Sequence, residues 1–274
     1  MEKFTPQTLQ VEHRGRVAVV WLNRPDKRNA INRRMLDEIG TAMRVLGEDD
    51  ATRVIVLAGR GESFCAGFDV DRGGDGFAAA TDPVSDTIDL EARLARFFDL
   101  WNSPKPVVAA VHGHCLAAAT LLCTLADLTI VANDARIGYS SMPLGGGFLE
   151  PLWVHLVGPK RTKQMALIPG YTISGATASD WGWANYAVAP ERLHDEAFEV
   201  ATRMSRMPAD VARMRKQAIN RMAELAGLRE GATMGAQTDA ILHRSPSVLK
   251  LRAAIAEHGL KEAIRRFQAG ELDS

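Results

Sequence analysis

Ser63-Phe64-Cys65-Ala66-Gly67-Phe68-Asp69 and, further along, Val111-His112-Gly113-His114-Cys115-Leu116-Ala117-Ala118-Ala119 are the segments on which the fold of this chain turns. Each reads as a short strand running into a bend of small residues and then into a helix. Such a junction leaves backbone N–H groups unpaired at a helix start. Two of them facing each other would form an oxyanion hole, a pair of donors aimed at a carbonyl oxygen that gains negative charge.

The flanking sequence places these junctions in an α/β frame. Arg16–Leu22, Arg53–Leu57, Val107–Val111 and Leu128–Ala132 are short apolar, β-rich runs bounded by turn residues, and they read as buried strands. Between them, Asn29 or Asn32 could cap a helix whose apolar face is Ile31, Met35, Ile39 and Met43. Helices are also expected from about Ile88 to Asn102 and from Ala118 to Ala126. Residues 72–88 carry no strong period and read as a mobile loop. Strands alternating with helices imply a mostly parallel sheet. From Glu191 to Phe267 only helical signals remain, starting near Pro190 and Pro208 and breaking at Gly227, Gly231 and Pro246. The expected division is a core over 1–190 and a helical region over 191–274.

Bulk properties narrow the function. Of 274 residues, 33 are Lys or Arg and 33 are Asp or Glu, so no net field draws nucleic acid or an anionic membrane. Three cysteines without repeated spacing suggest neither a disulfide framework nor a zinc site, and the chain reads as cytoplasmic with no metal. No signal peptide is evident. The apolar run Val107–Ala132 is interrupted by His112, Gly113, His114 and Asp127, which favours a buried strand, turn, helix and strand over a membrane span.

The two junctions, with Leu22-Asn23-Arg24-Pro25-Asp26-Lys27-Arg28-Asn29-Ala30, Pro104–Gly113, Ala126-Asp127-Leu128, Asn133–Gly138, Leu156–Arg161 and Ser174–Gly182, follow one another in an order that resembles the crotonase (enoyl-CoA hydratase/isomerase) superfamily. The likeness runs from Arg16 to about Phe267. It implies a crotonase-like ββα spiral core with a C-terminal helical oligomerisation region, in a homotrimer or a dimer of trimers. It implies a coenzyme A thioester as substrate, with no bound cofactor. Carried over residue by residue, it makes the Phe68 and Ala118 N–H groups the oxyanion donors. Lys27, Arg28, Ala30, Ala66 and Asp69 become the CoA-binding positions, although Asp69 could equally cap a following helix. Three glycines usual in the family are Ala117-Ala118-Ala119 here; alanine keeps the backbone donor.

The pattern fails where the hydratases need it. Their two water-holding glutamates fall at Leu121 and Ser141, neither a carboxylate, so ordinary hydration is disfavoured. The acidic residue that some isomerases and dehalogenases of the family carry falls at Leu149, with Glu150 adjacent. Glu150 is therefore the best candidate base, or else simply a helix-start glutamate ahead of Pro151. His114 near the second donor could act as acid or base, or be only a hydrogen-bonded strand-end residue. Cys65 and Cys115 read as packing residues, and so do Trp181, Trp183 and Tyr186. Arg213, Arg215, Lys216 and Arg221 could meet a CoA phosphate or form a solvated face. Three functions remain open: an isomerase-type acyl-CoA enzyme, an acyl-CoA-binding protein without chemistry, and a serine peptidase using Ser141.

Overall fold

A computed structural model describes residues 4–70 and 82–272. In chain order its strands are β1 (Leu9–Arg14), β2 (Val17–Leu22), β3 (Val54–Gly59), β4 (Val107–Val111), β5 (His114–Leu116), β6 (Leu128–Ala132), β7 (Arg136–Gly138), β8 (Thr172–Ser174) and β9 (Tyr186–Val188). The main sheet runs β1-β2-β3-β4-β6-β9, antiparallel at β1–β2 and parallel elsewhere. The smaller sheet runs β5-β7-β8. Every residue of β2, β3 and β4 is buried. That is why these strands are continuous apolar runs rather than alternating ones. β1, which the sequence reading passed over, is a half-exposed, polar-rich strand without such a run.

The helices are α1 (Arg33–Glu48), α2 (Pro83–Asn102), α3 (Ala119–Thr124), α4 (Glu150–Leu167), α5 (Gly175–Trp181), α6 (Leu193–Met204), α7 (Ala209–Leu225), α8 (Leu228–Leu242), α9 (Pro246–His258) and α10 (Leu260–Gln268). Asn32 caps α1, its side-chain oxygen accepting the Met35 N–H at 2.9 Å, and Ile31, Met35, Ile39 and Met43 are buried as expected. α2 starts five residues before Ile88, because Asp82 accepts from the Val84 and Ser85 N–H groups and Pro83 opens the first turn. The rest of the loop expected over 72–88, up to residue 81, lies outside the described residues.

α6 packs on β2, β3, β4 and β6, and its Leu193, Ala197 and Ala201 join the same core as the sheet. α8 packs on α2 and α4. It does not break at Gly231. A Cβ there would lie 3.2 Å from Pro151 Cβ, and one at Gly235 only 1.9 Å from the Gly147 carbonyl oxygen. The two glycines let α8 approach the segment leading into α4. Among the described residues, no helix is long and apolar enough to cross a membrane. The run Val107–Ala132 is divided among β4, β5, α3 and β6.

Candidate active site

Three stretches of backbone lie side by side. On one flank of the first junction, Ala66 N–H donates to the Arg28 carbonyl (2.9 Å), Ile31 N–H to Gly67 (2.7 Å), and Asp69 N–H to Ile31 (2.9 Å). On the other flank, Phe64 and Cys65 donate to the His112 and His114 carbonyls, and Leu116 N–H donates back to Cys65 at 3.1 Å. This ribbon brings Lys27, Arg28, Ala30, Ala66, Phe68 and Ala118 to one region. Gly67 makes the close approach possible. It sits at φ +93°, and a Cβ on it would be 2.8 Å from the Leu116 carbonyl oxygen and 3.4 Å from Ala118 N.

Asn29, considered in sequence only as a helix cap, is the pin of this ribbon. It is wholly buried; its side-chain oxygen accepts the Arg24 N–H, and its amide donates to the Arg60 and Ser63 carbonyls, all at 2.8 Å. Asp69 is buried and its carboxylate pairs with Arg24 at 2.8 Å, while Arg24 also donates to the Ala30 carbonyl. The Asp69 carboxylate thus restrains Arg24, and the segment it was expected to cap lies, from residue 71, outside the described residues.

At the second junction Ala117 adopts φ +49° and its N–H donates to the Gly138 carbonyl at 2.8 Å. Ala118 is the N-cap of α3, and none of the hydrogen bonds among the described residues uses its N–H. A Cβ in the left-handed region costs about 1 kcal/mol or more, against a smaller entropic cost of glycine in the unfolded chain. Ala117→Gly is therefore expected to raise the melting temperature in calorimetry, with a net gain of up to about 1 kcal/mol. A lower melting temperature would contradict the strained geometry.

The third component is the start of α4. Phe148, two residues before Glu150, stacks its ring 6.1 Å from Phe68 and 6.5 Å from Phe97. Trp153, one turn after Glu150, is wholly buried and donates from its indole N–H to Thr120 Oγ1 at 3.2 Å. One anchor thus ties the helix start to the first junction and the other ties it to α3. Between them Glu150 is half-buried, and its carboxylate accepts the Leu149 N–H at 3.1 Å. Tyr139, which sequence reading missed, packs edge-on to Trp153 at 5.3 Å, with a buried hydroxyl that has no hydrogen-bond partner among the described residues. Burial and, secondarily, the Glu150 charge push that phenol well above its ordinary range.

The remaining candidates fall elsewhere or are differently engaged. Leu121 is wholly buried within α3. Ser141 lies beside Gly170, whose added Cβ would be 3.8 Å from Ser141 Cα. Among the described residues no histidine hydrogen-bonds Ser141. His114 Nδ1 instead lies 3.2 Å from Ser63 Oγ, and burial, with Arg28 and Arg136 nearby, lowers the imidazole pKa. Among the described residues no hydrogen bond joins Ser141 to the histidine base that the peptidase reading needs. Cys65 and Cys115 are wholly buried, and burial pushes both thiols well up. Trp183 is buried against Trp153. Lys216 does not share a basic face with Arg213, Arg215 and Arg221. It turns inward to Asp127 at 2.8 Å and to the Leu100 and Lys105 carbonyls.

Known proteins resemble this chain in sequence and in fold. The profile of the enoyl-CoA hydratase/isomerase family matches residues 12–250. The 1,2-epoxyphenylacetyl-CoA isomerase of Escherichia coli (strain K12) is 32% identical, covering 74% of this chain and 78% of its own. The crystal structure of an enoyl-CoA hydratase from Mycobacterium smegmatis superposes with a TM-score of 0.88 at 32% identity, over 96% of this chain and 94% of the other. An enoyl-CoA hydratase/isomerase structure from Xanthobacter autotrophicus Py2 gives a TM-score of 0.90 at 27% identity, over 98% and 100%.

Proposed function

Because the chain belongs to the enoyl-CoA hydratase/isomerase family, we propose that it binds an enoyl-CoA thioester and moves a proton between two carbons of its enolate. The Phe68 and Ala118 N–H groups receive the thioester oxygen. Glu150 removes a proton from the α carbon, and the C–H electrons flow into the dienolate. Glu150 then returns the proton to the γ carbon, shifting the double bond with no net loss of atoms. The observation that supports this reading is the pair of anchors on either side of Glu150, Phe148 on Phe68 and Trp153 on Thr120, which tie the start of α4 to the first junction and to α3. Isomerisation is favoured over hydration because Leu121 and Ser141 offer no carboxylate to hold and split water. Lys27 and Arg28 are exposed beside the ribbon, where cationic side chains suit the CoA phosphates. Backbone at Ala30 and Ala66, with Asp69, would line the rest of that path.

The test is mass-spectrometric deuterium incorporation from D₂O into a panel of acyl- and enoyl-CoA thioesters. Exchange at the α or γ carbon supports the reading. Binding of several thioesters without exchange would favour the second reading, an acyl-CoA-binding protein, which the missing carboxylates at Leu121 and Ser141 also suit.

The assembly we propose is a homotrimer or a dimer of trimers. Val211, Met214, Met222 and Leu225 fall on one stripe of α7 by helical spacing, and all four are exposed. Leu225→Glu together with Met222→Glu is expected to reduce the mass measured by light scattering toward the 29.8 kDa of a single chain. A wild-type protein that is already monomeric would exclude this assembly.

A further inference from the structure

Gly231, Gly235, Asp239 and His243 recur every fourth residue of α8, so they share one face. The two glycines bring the helix backbone against Pro151 and Gly147. The next two residues put a polar cluster directly behind the glycine loop that precedes Glu150. Asp239 Oδ1 accepts the Gly146 N–H at 2.5 Å, and the carboxylate fills the space beside Gly145. Its other oxygen lies 3.5 Å from His243 Nε2, and His243 Nδ1 lies 2.8 Å from Asp86 Oδ2 on α2. All three side chains are buried.

We propose that Asp239 is a positioning residue for Glu150, fastening the Gly145–Gly147 loop to α8 and presenting a second carboxyl to the base. This rests on the reading of Glu150 as the base. Asp239 is faced by Glu150 from α4, by Asp86 from α2, by Arg252 from α9 and by His243 at the end of its own helix. Burial, followed by Glu150 and Asp86, raises its pKa from 3.8 to about 7, against the Gly146 hydrogen bond and Arg252. Burial likewise favours the neutral imidazole at His243, whose Nδ1–H then donates to Asp86. Below neutral pH Asp239 is therefore protonated. Above it the carboxylate adds a negative charge behind the loop that leads into Glu150. Asp239 exchanges no proton with substrate; it acts through the loop it fastens and the charge it places there.

The deciding experiment follows the Asp239 carboxyl by ¹³C NMR in the full-length protein and the pH dependence of deuterium exchange. Removing the Glu150 charge by Glu150→Gln should lower the Asp239 midpoint by about one pH unit. In the wild type, kcat for exchange should show a several-fold rise through about pH 7. Asp239→Asn keeps an oxygen for the Gly146 N–H, so it should keep the wild-type melting temperature but lose that rise. Asp239→Ala, which orphans the Gly146 N–H, should lower the melting temperature as well. A wild-type pH profile in Asp239→Asn would reduce Asp239 to a structural role and overturn the proposal, as would an Asp239 midpoint unmoved by Glu150→Gln. Exchange at the wild-type rate in Glu150→Gln overturns the assignment of Glu150 as the base instead, whatever the Asp239 midpoint does.

Discussion

Glu150→Gln is expected to slow deuterium exchange into an enoyl-CoA thioester by about 10³-fold while leaving thioester affinity within a factor of a few. The reason is that the amide is nearly the same size and still offers an oxygen to the Leu149 N–H, so the start of α4 keeps its geometry. Phe148 and Trp153 hold their own contacts on either side, and neither depends on the Glu150 charge. What the variant loses is the carboxylate proposed to take up and return the proton. Isotope incorporation read by mass spectrometry gives the rate, and calorimetric titration with a non-reactive acyl-CoA gives the affinity. A variant that exchanges at the wild-type rate would remove Glu150 from the chemistry. His114 and Ser141 would then be the residues to examine.

The second large effect is expected at Gly235, where helix propensity and tertiary contact disagree in sign. Within a helix, alanine is better than glycine by up to about 1 kcal/mol, so local reasoning predicts that Gly235→Ala stabilises α8. In the folded chain the new methyl would stand 1.9 Å from the Gly147 carbonyl oxygen and 3.1 Å from Pro151 Cγ. A backbone atom cannot rotate away as a flexible side chain can. The helix and the loop must separate, at a net cost of about 3 kcal/mol. The separation also pulls the Glu150 loop from its place, and a displacement of about 1 Å at a reacting group can cost about 10²-fold in rate. Urea denaturation should show the lost stability, and exchange kinetics on the folded fraction should show the lost rate. An unchanged or raised denaturation midpoint would mean that α8 does not approach the loop this closely.

The frame of this protein was legible because it is written in local patterns. The buried strands at β2, β4 and β6 are continuous apolar runs, and an apolar run between turn residues has few other places to go in a parallel sheet. The start of α1 could be narrowed to two asparagines; tertiary structure assigned them, with Asn32 capping and Asn29 pinning its own loop to the Arg60–Ser63 loop. β1 escaped because an edge strand with one wet face shares its polar content with a loop. Gly231 was misread as a break because glycine marks both helix ends and close approaches. Only the packing partner, Pro151, distinguishes the two.

By itself, then, the sequence determined the α/β frame, the order of the two junctions and the absence of carboxylates at Leu121 and Ser141. It did so because strand runs, small-residue bends and side-chain identity are properties of neighbouring residues. Tertiary structure decided which acidic groups keep company. Tyr139 reaches Glu150 through the packing of Trp153, and Asp239 reaches the Gly146 N–H across 93 residues of chain. No periodicity encodes such a pairing, because its strength comes from burial, and burial exists only once α2, α4, α8 and α9 have closed around the carboxyl.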